Sequence, residues 1–117
     1  MIKNTSMQPR RSFIFVPGLR PDMFPKALAS GVDIVCVELE DGIAPQDKAE
    51  ARQKALALFS KPQPNDGVER IVRINSMREK FGIEDVNAIL SAKTPPPALM
   101  MTNVRSPDEV KMLDQLL

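Results

Sequence analysis

Asp33-Ile-Val-Cys-Val-Glu-Leu-Glu-Asp41 is the stretch on which the fold turns. Residues 33–38 are β-branched and almost continuously apolar, the pattern of a strand buried on both faces in a parallel sheet. The far end of the run changes to acids, Glu38, Glu40 and Asp41, and Pro45 then opens a helix that extends to about Phe59. Ala51, Ala55 and Leu58 share one face of that helix, and charges occupy the other. A strand that passes through an acidic turn into an amphipathic helix is the repeating half of a βαβ unit.

The same order extends outward in both directions. Upstream, Ser12-Phe-Ile-Phe-Val16 is closed by Pro17-Gly18 and reads as a buried strand. Residues 22–30 read as a short helix that Asp22 caps and Gly31 follows. Downstream, a Pro/Asn/Asp loop at 60–66 leads to a third strand, Glu69-Arg-Ile-Val-Arg-Ile74. The next helix carries Ile83, Val86, Ile89 and Leu90 on one stripe, Thr94-Pro-Pro-Pro97 breaks it, and Ala98-Leu-Met-Met101 is the fourth strand. Ser106, Pro107 and Glu109 start the last helix with a capping box, and Val110, Leu113 and Leu117 are expected to face inward. Four βα repeats predict an α/β fold with a parallel sheet and right-handed crossovers. A small open doubly wound sheet and half of an eight-stranded barrel both satisfy that order. Residues 1–11 read as an irregular polar lead and residues 12–117 as a single domain. The chain ends on an apolar helical stripe, Leu116-Leu117, without a stop signal, which leans toward a truncated chain.

Composition removes many chemistries. With 117 residues, 16 Lys and Arg against 15 Asp and Glu, and 43% apolar residues, the chain has the makings of one small globular domain. It has no His, which excludes an imidazole base, a Ser–His or Cys–His nucleophile pair and a histidine metal site. The single Cys excludes an internal disulfide and a thiolate zinc cluster, and Cys36 itself reads as core. Trp and Tyr are absent and the net charge is +1, so nothing marks a nucleic-acid surface. No apolar run approaches the roughly 20 residues that span a bilayer, and no secretory h-region follows Met1. No nucleic-acid and no membrane partner is expected, and the expected compartment is cytoplasmic. The remaining chemistry belongs to carboxylates, Arg, Lys and backbone groups, with room for a hard cation that prefers oxygen ligands.

In either architecture ligands bind at the carboxyl ends of the strands. Four segments should gather there: residues 16–20, 38–41, 73–75 and 101–103. Arg20 and Lys26 suit an anionic ligand, phosphate or carboxylate, although they serve equally as solvated charges of a turn. Glu38, Glu40 and Asp41 suit a hydrated Mg²⁺ or acid–base work, and equally an acidic loop that leads a helix. Arg73 lies inside an apolar strand, where a charge is costly unless it is paired; Glu40, Asp41 or a ligand would serve.

These residues resemble the citrate lyase beta-subunit and malyl-CoA lyase family of acyl-CoA aldol-type lyases. The matching stretches are Arg11-Ser-Phe-Ile-Phe-Val-Pro-Gly-Leu-Arg-Pro21, Lys26-Ala-Leu-Ala-Ser-Gly31, Leu39-Glu-Asp41 with Ala44-Pro45, Lys48 and Ala51-Arg52, and Val72-Arg-Ile-Asn75. A degraded fourth strand with Ser106-Pro107 extends the match, which covers residues 11–110. The resemblance implies a (β/α)8 barrel of which this chain is the N-terminal half. It implies Mg²⁺ in the complete barrel, a homo-oligomer or a complementing barrel half as partner, and cleavage of a 3-hydroxyacyl-CoA ester such as malyl-, citramalyl- or citryl-CoA.

By resemblance, Phe15, Arg20 and Lys26 contact the acyl-CoA ligand, and Arg73 holds the substrate's carboxyl and carbonyl oxygens as the catalytic cation. Glu40 and Asp41 sit beside the metal through its waters. Direct metal carboxylates come from later strands in the family, so no metal ligand is expected within this chain, and activity is expected of a longer or reassembled protein. Glu38 stands where an Asp is usual, Thr102-Asn103 and Arg105 replace the customary Pro-Lys and Glu, and Arg78 to Gly82 lacks the expected Thr. The alternative is a non-catalytic half-barrel that pairs with itself or with a full-length relative.

Overall fold

The computed structural model describes residues 8–117; residues 1–7 of the expected lead lie outside the described residues. Four parallel strands stand side by side in chain order: β1 (Phe13–Pro17), β2 (Ile34–Glu38), β3 (Glu69–Arg73) and β4 (Leu99–Met100). Each is followed by a helix: α1 (Phe24–Leu28), α2 (Lys48–Phe59), α3 (Lys80–Ser91) and α4 (Pro107–Leu116). The register lines up Pro17, Glu38, Arg73 and Met100 in one row across the carboxyl ends. At the opposite ends, Gln8 donates to the Gly67 carbonyl, Arg10 pairs with Glu69 at 2.8 Å, and the Arg11 amide donates to Asp33 at 2.7 Å.

The two faces of the sheet differ, because side chains alternate along each strand. Val16, Val35, Val37, Val72 and Ile74 turn toward the helices and pack with Phe24, Ala51, Ala55, Phe59, Val86, Ile89 and Leu113. Ile34, Cys36 and Ile71 form a separate small cluster on the other face with Ala98 and Met100, and among the described residues no helix residue joins it. A doubly wound sheet would reverse its strand order and carry helices on both faces. This sheet does neither, and it has the barrel arrangement: sequential parallel strands with helices on the outside.

Local outcomes depart from the sequence at several places. Residues 22–30 divide into a 3₁₀ turn, Pro21–Met23, and a five-residue α1, because Pro21 and Pro25 each withhold an amide donor. Asp22 caps nothing; its carboxylate takes both hydrogen bonds from Arg20 instead. A 3₁₀ turn at Pro45–Asp47 likewise precedes α2, and Lys48 and Arg52, expected on its solvated face, are buried. On α3 the face toward the sheet is Gly82, Asp85, Val86 and Ile89, and it leaves Ile83 60% and Leu90 45% exposed. Gly82 sets this rotation: a Cβ there would lie 1.9 Å from the Ser76 carbonyl oxygen, so only glycine lets the helix come so close. On α4 the capping box forms as expected, but Leu113 alone is buried while Val110 and Leu117 stay exposed.

Candidate functional site

Glu38 and Arg73 are direct neighbours across β2 and β3, so their side chains leave the sheet on the same face. Arg73 Nη1 donates to Glu38 Oε2 at 3.1 Å, and its Nη2 lies 3.6 Å from Glu40 Oε1. Glu38 is 5% exposed, and its second oxygen accepts from the amides of Glu40 (2.8 Å) and Asp41 (2.9 Å). The carboxylate expected to take part in surface acid–base or metal chemistry is therefore spent on folding the turn and anchoring Arg73. Asp41 is exposed and reaches Arg73 only through its charge. Partial burial works against the Arg73 guanidinium, but the Glu38 hydrogen bond and the charges of Glu38, Glu40 and Asp41 outweigh it and raise its pKa. The ring of Phe15 lies 5.7 Å from the guanidinium carbon, within cation–π range.

Gly18 permits β1 to close on this rim. Its amide donates to the Glu38 carbonyl at 2.9 Å, and a Cβ there would lie 2.9 Å from Leu39 Cδ2 and 3.0 Å from the Ala51 oxygen. From this turn the chain enters a groove of about 660 Å³ along β1 and α1, lined by Phe15, Arg20 and Lys26 among others. Three of the expected ligand contacts thus share one groove, and Phe15 joins it to Arg73. Arg20 and Asp22 meet through two 3.1 Å hydrogen bonds. Those bonds, and then the opposite charges, raise the Arg20 pKa. Lys26 forms no ion pair among the described residues.

A buried polar constellation behind the rim was not among the expected site residues. Lys48 Nζ donates to Asn75 Oδ1 at 2.6 Å and to the carbonyls of Glu40 (3.0 Å) and Leu39 (3.3 Å). Asn75 Nδ2 donates to the Leu39 carbonyl (3.0 Å) and to Asp85 Oδ2 (2.7 Å), which also accepts the Asn75 amide (2.9 Å). Arg52 Nε completes Asp85 at 2.8 Å. Lys48 falls in line with Ala51, Ala55 and Phe59 at helical spacing, the one sequence signal that it faces inward. Asp85 carried no signal, because an acid on a helix reads as solvated.

The remaining rim segment is structural. Thr102 Oγ1 donates to the Ile74 carbonyl at 2.6 Å, and Arg78 Nη2 donates to the carbonyl of Asn103, whose φ is +51°. Cys36 is fully buried, and burial above all pushes its thiol up to about 12, with the charge of Glu38 adding to the shift. Among the described residues no group of three or more Asp, Glu or Cys side chains is placed to hold a metal ion. Glu40 and Asp41 offer oxygens on the rim but do not make a metal site by themselves. No helix among the described residues is long and apolar enough to cross a membrane.

Comparisons with known proteins agree with this arrangement. Residues 11–117 match the family model described as HpcH/HpaI aldolase/citrate lyase. The mitochondrial citramalyl-CoA lyase of Homo sapiens is 31% identical over 103 residues, covering 88% of this chain and 30% of that protein. An L-malyl-CoA/beta-methylmalyl-CoA lyase of Cereibacter sphaeroides is 38% identical over 84 residues, covering 71% of this chain and 26% of that one. Protein CitE of Mycobacterium tuberculosis, solved in complex with magnesium, acetoacetate and coenzyme A, superposes with a TM-score of 0.71 at 30% identity. It covers 90% of this chain, which spans 38% of it. The chain therefore spans well under half the length of these relatives. Its four sequential βα units, with Arg73 anchored between the ends of β2 and β3, belong to the HpcH/HpaI aldolase/citrate lyase family.

Proposed function

We propose that this chain contributes the acyl-CoA-binding half of a carbon–carbon lyase that cleaves a 3-hydroxyacyl-CoA ester such as malyl-, citramalyl- or citryl-CoA. The observation that carries this reading is Arg73, clamped at 3.1 Å to Glu38 on the carboxyl-end rim with Phe15 against it. In the cleavage the substrate hydroxyl loses its proton, the adjacent carbon–carbon bond breaks, and its electron pair becomes the enolate of the departing acyl-CoA. The hydroxyl carbon leaves as a carbonyl, and the enolate takes up a proton. Arg73 stabilises the negative oxygens by holding a planar, permanently charged fork toward them. Arg20 and Lys26 draw the anionic ends of the acyl-CoA into the groove that Phe15 borders.

Magnesium, when bound by the complete barrel, supplies Lewis-acid polarisation of the substrate oxygens. Glu40 and Asp41, on the same rim, would hydrogen-bond its water shell, and the direct ligands are assigned to strands beyond β4. The sheet edges at β1 and β4 are unpaired among the described residues, and a second copy or a complementing barrel half is the partner proposed to cover them.

The test is cleavage of the three acyl-CoA esters in the presence of Mg²⁺. The protein is assayed alone and mixed with the later strands of the human relative, with light scattering to record the assembled mass. Expected are activity only in the assembled species and a loss of about 10²–10³ in kcat for Arg73→Ala. Lys26→Ala should act chiefly on KM. An assembled barrel that cleaves none of the esters sinks the proposal.

A further inference from the structure

We infer that Lys48 is a positioning residue: with Asn75 and Asp85 behind it, it braces the Glu38–Asp41 turn against the end of β3 and so sets where Arg73 stands. The inference rests on the proposed function in treating that rim as the substrate site, but the brace itself is read from geometry. The lysine is placed where a solvated charge would be costly, and all three of its ammonium protons have an oxygen to meet: Leu39 O, Glu40 O and Asn75 Oδ1. Two of those oxygens belong to the acidic turn, and the third belongs to the residue two positions after Arg73. One ammonium group therefore ties the segment that carries Glu38, Glu40 and Asp41 to the segment that carries Arg73.

Asn75 doubles the tie through its own bond to Leu39 O, and Asp85 holds Asn75 from α3 by two hydrogen bonds. Asp85 is fully buried and is in turn charge-balanced by Arg52 of α2. The ring of Phe81 covers the lysine from α3, 5.6 Å from Nζ. Helices α2 and α3 thus reach the sheet ends by a chain of buried polar contacts that meets the backbone at Leu39 and Glu40 after β2 and at Asn75 after β3. Such a network holds its members in a single arrangement, because any one of them left unpaired would be buried without a partner. A catalytic cation needs this kind of support, since its orientation toward the substrate decides how well it meets developing charge. Lys48 itself is buried, and all of its donors are met by protein oxygens.

The first measurement needs no variant. In the nitrogen-15-labelled protein the Lys48 ammonium should give a resolved, slowly exchanging signal at neutral pH, where solvated lysines lose theirs to exchange with water. A Lys48 signal that exchanges as freely as the others overturns the brace. The second is amide hydrogen exchange in Lys48→Met. The amides of Leu39 and Glu40 should exchange about ten- to a hundredfold faster, as expected for the loss of a hydrogen bond to a charged group. Those of Val35 and Val37 in the body of β2 should stay within about twofold of the wild type. Uniform acceleration along the strand would mean a merely structural lysine and overturns the inference, as does no acceleration at Leu39. In an active assembled barrel the same variant should lower kcat about tenfold at saturating substrate with little change in KM; an unchanged kcat overturns the positioning role. If the wild-type barrel cleaves nothing while the ammonium and exchange results hold, the lyase reading fails and the brace stands.

Discussion

Glu38 shows how one side chain can be diverted from the chemistry that its neighbours suggest. Three acids in four positions look like a metal or acid–base site, yet the first of them is buried and accepts from two amides and one guanidinium. Glu38→Gln keeps an oxygen for the amides but turns an NH₂ group, or a neutral oxygen, toward Arg73. The expected cost is about 1.5–3 kcal/mol, the range for hydrogen bonds to charged groups. Urea unfolding of the two proteins measures it, and an unshifted midpoint would mean that solvent already satisfies Arg73. Arg73 itself was legible from the sequence as a charge that needed a partner, since it interrupts an apolar strand. Its partners were legible in part: Glu40, expected with Asp41, lies 3.6 Å from it, whereas register adds Glu38 as the direct cross-strand neighbour. Phe15, Arg20 and Lys26, which the resemblance groups as ligand contacts, line one groove.

At the scale of the element, α3 carries the clearest departure. Its apolar residues fall within a broad arc, and the sequence alone places Ile83 and Leu90 on the inward stripe with Val86 and Ile89. Asp85 turns it instead, because its carboxylate is bound by Asn75 and Arg52, and Gly82 allows the helix to approach the β3 exit. Gly82→Ala gives a sharp check. In an ordinary helix interior the change stabilises by about 1 kcal/mol. Here the added methyl meets the Ser76 carbonyl at a distance no contact tolerates, so the expected result is destabilisation by roughly 1–3 kcal/mol. Thermal denaturation followed by circular dichroism decides it: a raised midpoint would mean that α3 is not seated as described. Helix α2 teaches the same lesson from the other side. Lys48 and Arg52 read as solvated from their charge, although their spacing with Ala51 and Ala55 already placed them on the buried face.

For the whole molecule, charge pairs at the sheet's lower end and around the helix starts set a common response to acid. Asp33 is held below the usual carboxylate range first by the Arg11 amide and then by its side chain. The Arg70 guanidinium holds Asp66 lower still, and the Arg105 amide, with the Arg78 charge, lowers Glu109. A carboxylate whose pKa is depressed by folding contributes stability that is complete above its unfolded pKa, about 4, and is lost as pH falls through the folded value. Melting temperature should therefore hold steady from neutral pH down to about pH 5 and fall below that. A melting temperature that rises on acidification would mean that these pairs do not form. Among the described residues no helix packs on the inner face of the sheet, where Ile34, Cys36 and Ile71 cluster and Phe13 and Phe15 are exposed. A barrel interior is normally filled from all of its strands.

The order of four strands and four helices, their parallel pairing and the strand ends that meet at the rim were all legible in the chain. These follow from hydrophobic period, from turn residues such as Pro17-Gly18, and from the handedness of βα crossovers, all properties that a short window of chain carries. Only packing shows that Glu38 rather than Asp41 takes Arg73, and that Lys48, Asn75, Asp85 and Arg52 sink together behind the site. The reason is that a buried charge is tolerable only when its partners arrive, and those partners come from segments up to 35 residues apart. No local pattern records such a meeting; register and helix rotation create it.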